Sequence, residues 1–156
     1  MKLRQRLQGA WILPLSVCLD QAAKALAQGW IGSWLDPIGL FRLHLVYNTG
    51  MAFSMLSNSP AVLNTLTILL VAALVLWLML RPEGLNKEAR AGLWLVAGGG
   101  LSNLIDRLRL GYVLDFIETS FIPFPIFNLA DCFVVGGAFL TIAALVAEEW
   151  TRRRES

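Results

Sequence analysis

The sequence predicts a mainly α-helical integral membrane protein: a single domain over residues 1–156, with four transmembrane helices and a small extracytoplasmic β-sheet lying on the membrane. Three observations carry that reading. Hydrophobic residues make up 56% of the chain and the mean hydropathy is +0.61, outside the range of ordinary soluble domains. Four apolar stretches, about 8–27, 60–80, 91–108 and 128–150, have the length of membrane helices. Nine of the thirteen lysines and arginines fall in three clusters that a four-helix topology brings to one side of the bilayer.

The first stretch follows Lys2, Arg4 and Arg6 and has the basic head and apolar run of a secretory leader, but no A-x-A-like cleavage site follows, so a retained helix over about 8–27 is expected. Pro14 predicts a kink in it. Asp20 and Lys24 share one face at i,i+4 spacing. Two readings fit them: a local ion pair with Lys24 snorkelling to the interface, or part of a site. Residues 28–59 form an extracytoplasmic segment rather than a span, because Gly29, Gly32, Pro37 and Gly39 punctuate it and Phe41–Tyr47 begins with the strict alternation of a half-buried strand. Asn48-Thr49-Gly50-Met51-Ala52-Phe53 follows, with a turn-forming Asn and Gly.

Pro60 to Leu80 is the plainest span, 21 residues without a charge, or about 32 Å of helix against a hydrocarbon core of about 30 Å. A charged loop, Arg81 to Arg90, leads to a third helix laced with Gly92, Ala97, Gly98, Gly99, Gly100 and Ser102. Small residues of this kind let membrane helices pack closely. They do not account for Asn103, Asp106 and Arg107 at its end. Val113-Leu114-Asp115 reads as a strand, then an aromatic and proline-rich turn leads to Asn128 and to Asp131, where the last apolar helix begins. That helix contains Gly136 and Gly137 and is followed by Arg152, Arg153 and Arg154. By the positive-inside rule both termini are cytoplasmic. Asp20, Lys24, Asn48, Asn103, Asp106, Arg107, Asp115, Asn128 and Asp131 then all fall near the outer leaflet. An ionisable residue at that depth marks a functional site by default.

The residue types limit the chemistry. One histidine and no cluster of ligands at metal spacing argue against a zinc site, and no cofactor is expected. Cys18 and Cys132 lie in apolar runs and predict no disulfide; a Cys132–His44 nucleophile pair is a weak reading, since His44 fits the polar face of its strand. No phosphate-cradling loop appears, and topology splits the basic residues, so no nucleic acid is expected as a partner. Two aspartates remain. Carboxyl groups about 3 Å apart share one proton, which lets one activate water while the other polarises a carbonyl. The plainer reading is that Asp115 and Asp131 only turn a loop and cap a helix. A different class, a small non-catalytic membrane transport or assembly protein, would need polar residues through the depth of the bundle. The second helix has only Asn64, Thr65 and Thr67, near its outer end.

Five blocks carry a resemblance: Asp20-Gln21-Ala22-Ala23-Lys24, Asn48 to Phe53, Gly98 to Arg107, Val113 to Phe116, and Phe127 to Asp131. In this order they resemble the successive signature blocks of lipoprotein signal peptidase, or signal peptidase II. The resemblance implies a bacterial inner-membrane aspartic endopeptidase, a monomer without a cofactor. Its partners would be membrane lipid, diacylglyceryl-modified prolipoproteins cut on the N-terminal side of the lipidated cysteine, and the inhibitor globomycin. It further implies that Asp115 and Asp131 are the catalytic pair, supported by Asp20, Lys24, Asn48, Gly50, Asn103, Arg107 and Asn128. Ala23, Met51 and Ser102 depart from the family pattern, which usually has Ser or Thr, Ala and Gly there.

Overall fold

The computed structural model describes residues 7–29, 39–50, 59–80 and 84–155. Gly32, Pro37 and Met51–Phe53 of the sequence reading lie outside these. Among the described residues, four helices and two strands follow in the order α1 (Ile12–Gly29), β1 (Phe41–Asn48), α2 (Pro60–Leu80), α3 (Lys87–Leu110), β2 (Val113–Thr119) and α4 (Leu129–Glu155). The protein is mainly helical, with one small antiparallel sheet. Two of the described helices, α2 and α4, are long and apolar enough to cross a membrane. Their side chains are mostly exposed, Leu69, Leu70, Val135 and Phe139 among them, so they are not the buried core helices of a soluble domain.

Pro14 falls in the first turn of α1 and not in its interior. A first-turn residue has no intrahelical acceptor for its N–H, so proline there is tolerated and the expected kink is not required. Helix α3 is the hub, packed against α1, α2 and α4. It opens at Lys87, ahead of its apolar stretch, because the Asn86 Oδ1 accepts from the Ala89 N–H (2.8 Å) as an N-cap. The Asn86 amide also donates to the Ala144 carbonyl (3.2 Å) and Glu148 Oε2 (3.0 Å), tying that end to α4. Glycines explain how close the two helices run. A Cβ on Gly92 would sit 2.5 Å from the Gly137 carbonyl oxygen, and one on Gly137 would sit 2.5 Å from that of Gly92. Between α1, α2 and α3 lies a core of Leu78, Trp94 and Ala97, and the Trp94 indole donates to the Gln8 carbonyl (3.2 Å).

Gly111, with φ 82°, takes the left-handed conformation that ends α3, and its N–H returns to the Arg107 carbonyl. The chain enters β2 at once. Strand β1 pairs with β2, from Phe41 opposite Thr119 to Asn48 opposite Val113, with an irregularity between Leu43 and Val46. The alternation in Phe41–Tyr47 thus marks a real strand, but the partner comes from beyond α3 and not from its own segment. After β2 the chain doubles back. Phe127 exchanges backbone hydrogen bonds with Ile117 (2.8 and 3.1 Å), which delivers Asn128 and the start of α4 to the side of β2.

Candidate active site

Asp115 sits within β2 among the buried Val113, Leu114 and Phe116 and is itself 2% exposed. Asp131 arrives separately, in the first turn of α4. Asn128 joins them. Its Oδ1 accepts from the Asp131 N–H (2.9 Å) while Asp131 Oδ2 accepts from the Asn128 N–H (3.1 Å), a reciprocal cap of the helix start. The Asn128 amide donates to Asp115 Oδ1 (2.7 Å) and to Asn103 Oδ1 (3.0 Å). The remaining carboxylate oxygens are also held: Asp115 Oδ2 by the Asn48 amide (2.8 Å) and Asp131 Oδ1 by the Asn103 amide (2.8 Å).

Behind this layer lies a buried cation. The Lys24 ammonium is 2.7 Å from Asp20 Oδ2, 2.7 Å from Asp106 Oδ2 and 3.0 Å from Asn103 Oδ1. It is 3% exposed, which overturns the snorkelling alternative: α3 supplies the partners that make burial of the charge tolerable. Asp20 Oδ1 accepts from the Ala130 N–H (2.8 Å), so α1 anchors the first turn of α4 next to Asp131. On the other flank, Arg107 Nη2 donates to the Gly50 carbonyl (3.1 Å), and the Gly50 N–H donates to Asn48 Oδ1 (2.9 Å). The residues singled out from the sequence, Asp20, Lys24, Asn48, Gly50, Asn103, Arg107, Asp115, Asn128 and Asp131, form one connected network.

Two further members, Gln21 and Ser102, were not among the site residues read from the sequence, and Asp106, read there as a polar residue at the outer leaflet, joins the same network. Ser102 donates to Asp20 Oδ2 (2.7 Å), Gln21 donates to Asp106 Oδ1 (2.8 Å) and to Ser102 Oγ (3.1 Å), and Asp106 Oδ2 accepts from the Leu114 N–H (3.3 Å). Gln21 lies beside Asp20, and Ser102 and Asp106 share one helix face at i,i+4 spacing next to Asn103, which was the available signal. The hydroxyl of Ser102, a departure from the family pattern, is absorbed by Asp20.

Asp115 and Asp131 both line a cavity of about 750 Å³ that Val46, Tyr47, Phe124, Phe127, Val134 and Val135 make largely apolar. Burial pushes the Asp115 carboxyl up to about 6; the hydrogen bond from Asn48 opposes that shift and the Asp131 charge adds to it. Cys132 lines the same cavity, whereas His44 lies on the sheet with Nδ1 3.6 Å from Glu118 Oε2. Among the described residues no group of three or more histidine, cysteine, aspartate and glutamate side chains converges as a metal site.

The family described as signal peptidase (SPase) II matches residues 12–147, a span that contains the whole network. The chain belongs to the signal peptidase II family. It is accordingly a peptidase of the lipoprotein-processing class. The lipoprotein signal peptidase of Caldanaerobacter subterraneus subsp. tengcongensis is 39% identical over 136 residues, 83% of this chain and 89% of that protein. The one from Streptococcus pyogenes serotype M5 is 35% identical over 142 residues, covering 88% and 91%. Two solved structures described as bacterial membrane enzymes superpose with TM-scores of 0.80 and 0.77 at 30% and 31% identity. The first covers 90% of this chain and 88% of its own, the second 88% and 91%. Membership of a peptidase family sets the transport and assembly reading aside.

Proposed function

We propose that this chain cleaves diacylglyceryl-modified prolipoproteins on the N-terminal side of the lipidated cysteine by an aspartic mechanism, with Asp115 and Asp131 as the catalytic pair. The observation that carries the reading is that both carboxyls open on one apolar-walled cavity and are tied to the same residue, Asn128. Such a pair shares one proton below its upper titration step, activates water without a metal or cofactor, and works best where the walls exclude bulk solvent. Asp20, Lys24, Asn103 and Asn128 hold the pair in register. Asn48, Gly50 and Arg107 shape the side of the cavity nearest the sheet.

In this reading the four helices α1 to α4 all span the inner membrane as one domain, the termini are cytoplasmic, and the cavity opens at the outer leaflet. The enzyme acts as a monomer. The substrate main chain lies beside β1, and its acyl chains run along Val134 and Val135 among membrane lipid. Fixing the lipid at the interface sets the depth of the scissile bond, which is catalysis by positioning. Globomycin competes for the same cavity.

The test is cleavage of a diacylglyceryl lipobox peptide by purified protein, beside Asp115→Asn, Asp131→Asn and a globomycin arm. Cleavage before the lipidated cysteine that either variant or the inhibitor abolishes supports the reading. Normal processing by a folded Asp115→Asn or Asp131→Asn enzyme removes that residue from the pair.

A further inference from the structure

We infer that the two aspartates are not interchangeable: Asp131 rests as the carboxylate that takes a proton from water, and Asp115 rests as the acid that polarises the scissile carbonyl. This rests on the assignment of the pair made above. Both residues accept two hydrogen bonds, so the number of donors does not separate them. What lies behind the donors does.

Asp131 sits in the first turn of a 27-residue helix, where the helix dipole favours an anion. One of its donors is a backbone N–H, that of Asn128, which cannot reverse polarity. The other, the Asn103 amide, is fixed in direction from behind. Asn103 Oδ1 receives both the Lys24 ammonium (3.0 Å) and the Asn128 amide (3.0 Å), and an ammonium can only donate. The Asn103 Nδ2 must therefore point at Asp131, and the charge of Lys24 reaches Asp131 through a single polarised amide. Asp131 is also partly exposed to the cavity, where water can solvate its charge.

Asp115 has fewer of these supports, and the Lys24 charge, which acts on it too, stands one residue further away along the network. Asp115 lies in a strand, away from any helix start, and is enclosed by Val113, Leu114 and Phe116. Two side-chain amides are its donors, and Lys24 is two residues away along the network, through Asn103 and Asn128. Burial already pushes its carboxyl up to about 6. Among the described residues, the charged and titratable groups around the pair are Asp20 and Lys24 of α1, Tyr47 of β1, Asp106 and Arg107 of α3, and Cys132 of α4. The only buried cation among them, Lys24, lies on the Asp131 side of the relay.

The reaction then balances. Asp131 takes a proton from water as the water oxygen bonds to the carbonyl carbon, and the proton of Asp115 passes to the carbonyl oxygen, giving a neutral diol. Next the proton on Asp131 passes to the amide nitrogen as the C–N bond breaks, and Asp115 takes a proton from one hydroxyl. The new carboxylic acid and amine leave, and both aspartates return to their resting states.

The test is a carbon-13 titration of the aspartate carboxyls in the full-length enzyme in micelles. The pair should titrate in two steps, the upper near neutral pH. Asn48→Ala removes a donor from Asp115 alone and should move the upper step further up. Asn103→Ala should move the lower step instead. In Asp131→Asn the remaining carboxyl should titrate at least about one pH unit above the one remaining in Asp115→Asn, the size of a local-environment shift. The reverse order, or Asn48→Ala acting on the lower step, overturns the assignment. A merely structural loss would lower the melting temperature without moving one step selectively. The assignment of the pair itself fails by a different result, processing that persists in either Asn variant, so the two failures are distinguishable.

Discussion

Replacing Asn128 with alanine separates what holds the fold from what aligns the chemistry. Asn128 is fully buried, and its side chain accepts from the Asp131 N–H, donates to Asp115 Oδ1 and donates to Asn103 Oδ1. Loss of the cap removes about 1 kcal/mol. Loss of a hydrogen bond to a carboxylate removes about 1.5–3 kcal/mol. The sum, about 2.5–4 kcal/mol, is below the stability of a typical domain, about 5–15 kcal/mol, so Asn128→Ala should still fold. For a chain of this length it should melt about 10 °C lower. Activity should suffer more. Both carboxyls lose the residue that fixes their spacing, and a displacement of about 1 Å in a reacting group lowers turnover about 100-fold.

Asn128→Asp tests the donor to Asp115. It keeps an oxygen for the Asp131 N–H but replaces the donor to Asp115 with a second acceptor facing it at the 2.7 Å contact. This variant should melt no higher than Asn128→Ala and cleave no better, because the buried carboxyl facing Asp115 and Asn103 Oδ1 offsets the retained cap, and the Asp115 titration should move up. The assays are thermal unfolding by tryptophan fluorescence in micelles and kcat on a lipidated lipobox peptide. An Asn128→Ala enzyme that melts within about 1 °C of wild type, where the scaling requires about 10 °C, and turns over within threefold of it would refute the reasoning.

Stability should carry the signature of Asp115 itself. Its carboxyl is raised from 3.8 to about 6 by folding, so its contribution is present below pH 3.8 and is lost as pH rises through 6. That is at most about 3 kcal/mol, reduced by whatever water enters the cavity. Asp115→Asn should therefore lose less melting temperature than wild type between pH 4 and pH 7; an equal loss refutes it. Arg107→Gln should raise KM by loosening the Gly50 carbonyl at the cavity rim and lower kcat as well, because Gly50 orients Asn48 and the Arg107 charge acts on both carboxyls; unchanged kcat and KM would contradict this. Asn86→Ala, at the other end of α3, should lower stability by about 1 kcal/mol with full activity, measured as melting temperature and kcat/KM. Gly137→Leu should prevent the α3–α4 contact altogether, since a Cβ already meets the Gly92 carbonyl oxygen at 2.5 Å; a folded, active Gly137→Leu enzyme would show that this crossing is not required.

Much of this was legible in the sequence because membranes impose simple rules. Length and apolarity mark Pro60–Leu80, and alternation marks Phe41–Tyr47. The glycines of the third helix announce a close approach, and Gly92 against Gly137 is that approach. Pairing across the chain was not legible. Nothing local to Phe41–Asn48 names Val113–Thr119 as its partner, since the antiparallel register is set by residues that α2 and α3 separate in the sequence. Lys24 shows the same limit in the site. Read on α1 alone, a lysine four residues after an aspartate is an ordinary local pair. Only when α3 brings Asp106 and Asn103 against it does its burial become tolerable.

The same limit explains why the network exceeds what motif blocks disclose. Each block supplies side chains of the right type on one element, but the direction of every amide is set by a group on another. Lys24 of α1 orients Asn103 of α3, Gly50 orients Asn48 at the end of β1, and the Asp131 N–H of α4 orients Asn128. An asparagine amide placed the wrong way round would present an oxygen to a carboxylate at 2.7–2.8 Å, repelling the charge it now holds. The backbone donors at Gly50 and Asp131 and the Lys24 ammonium offer no second polarity. The orientation of all three asparagines is thereby settled before substrate arrives, which is the preorganisation that a two-carboxylate mechanism requires.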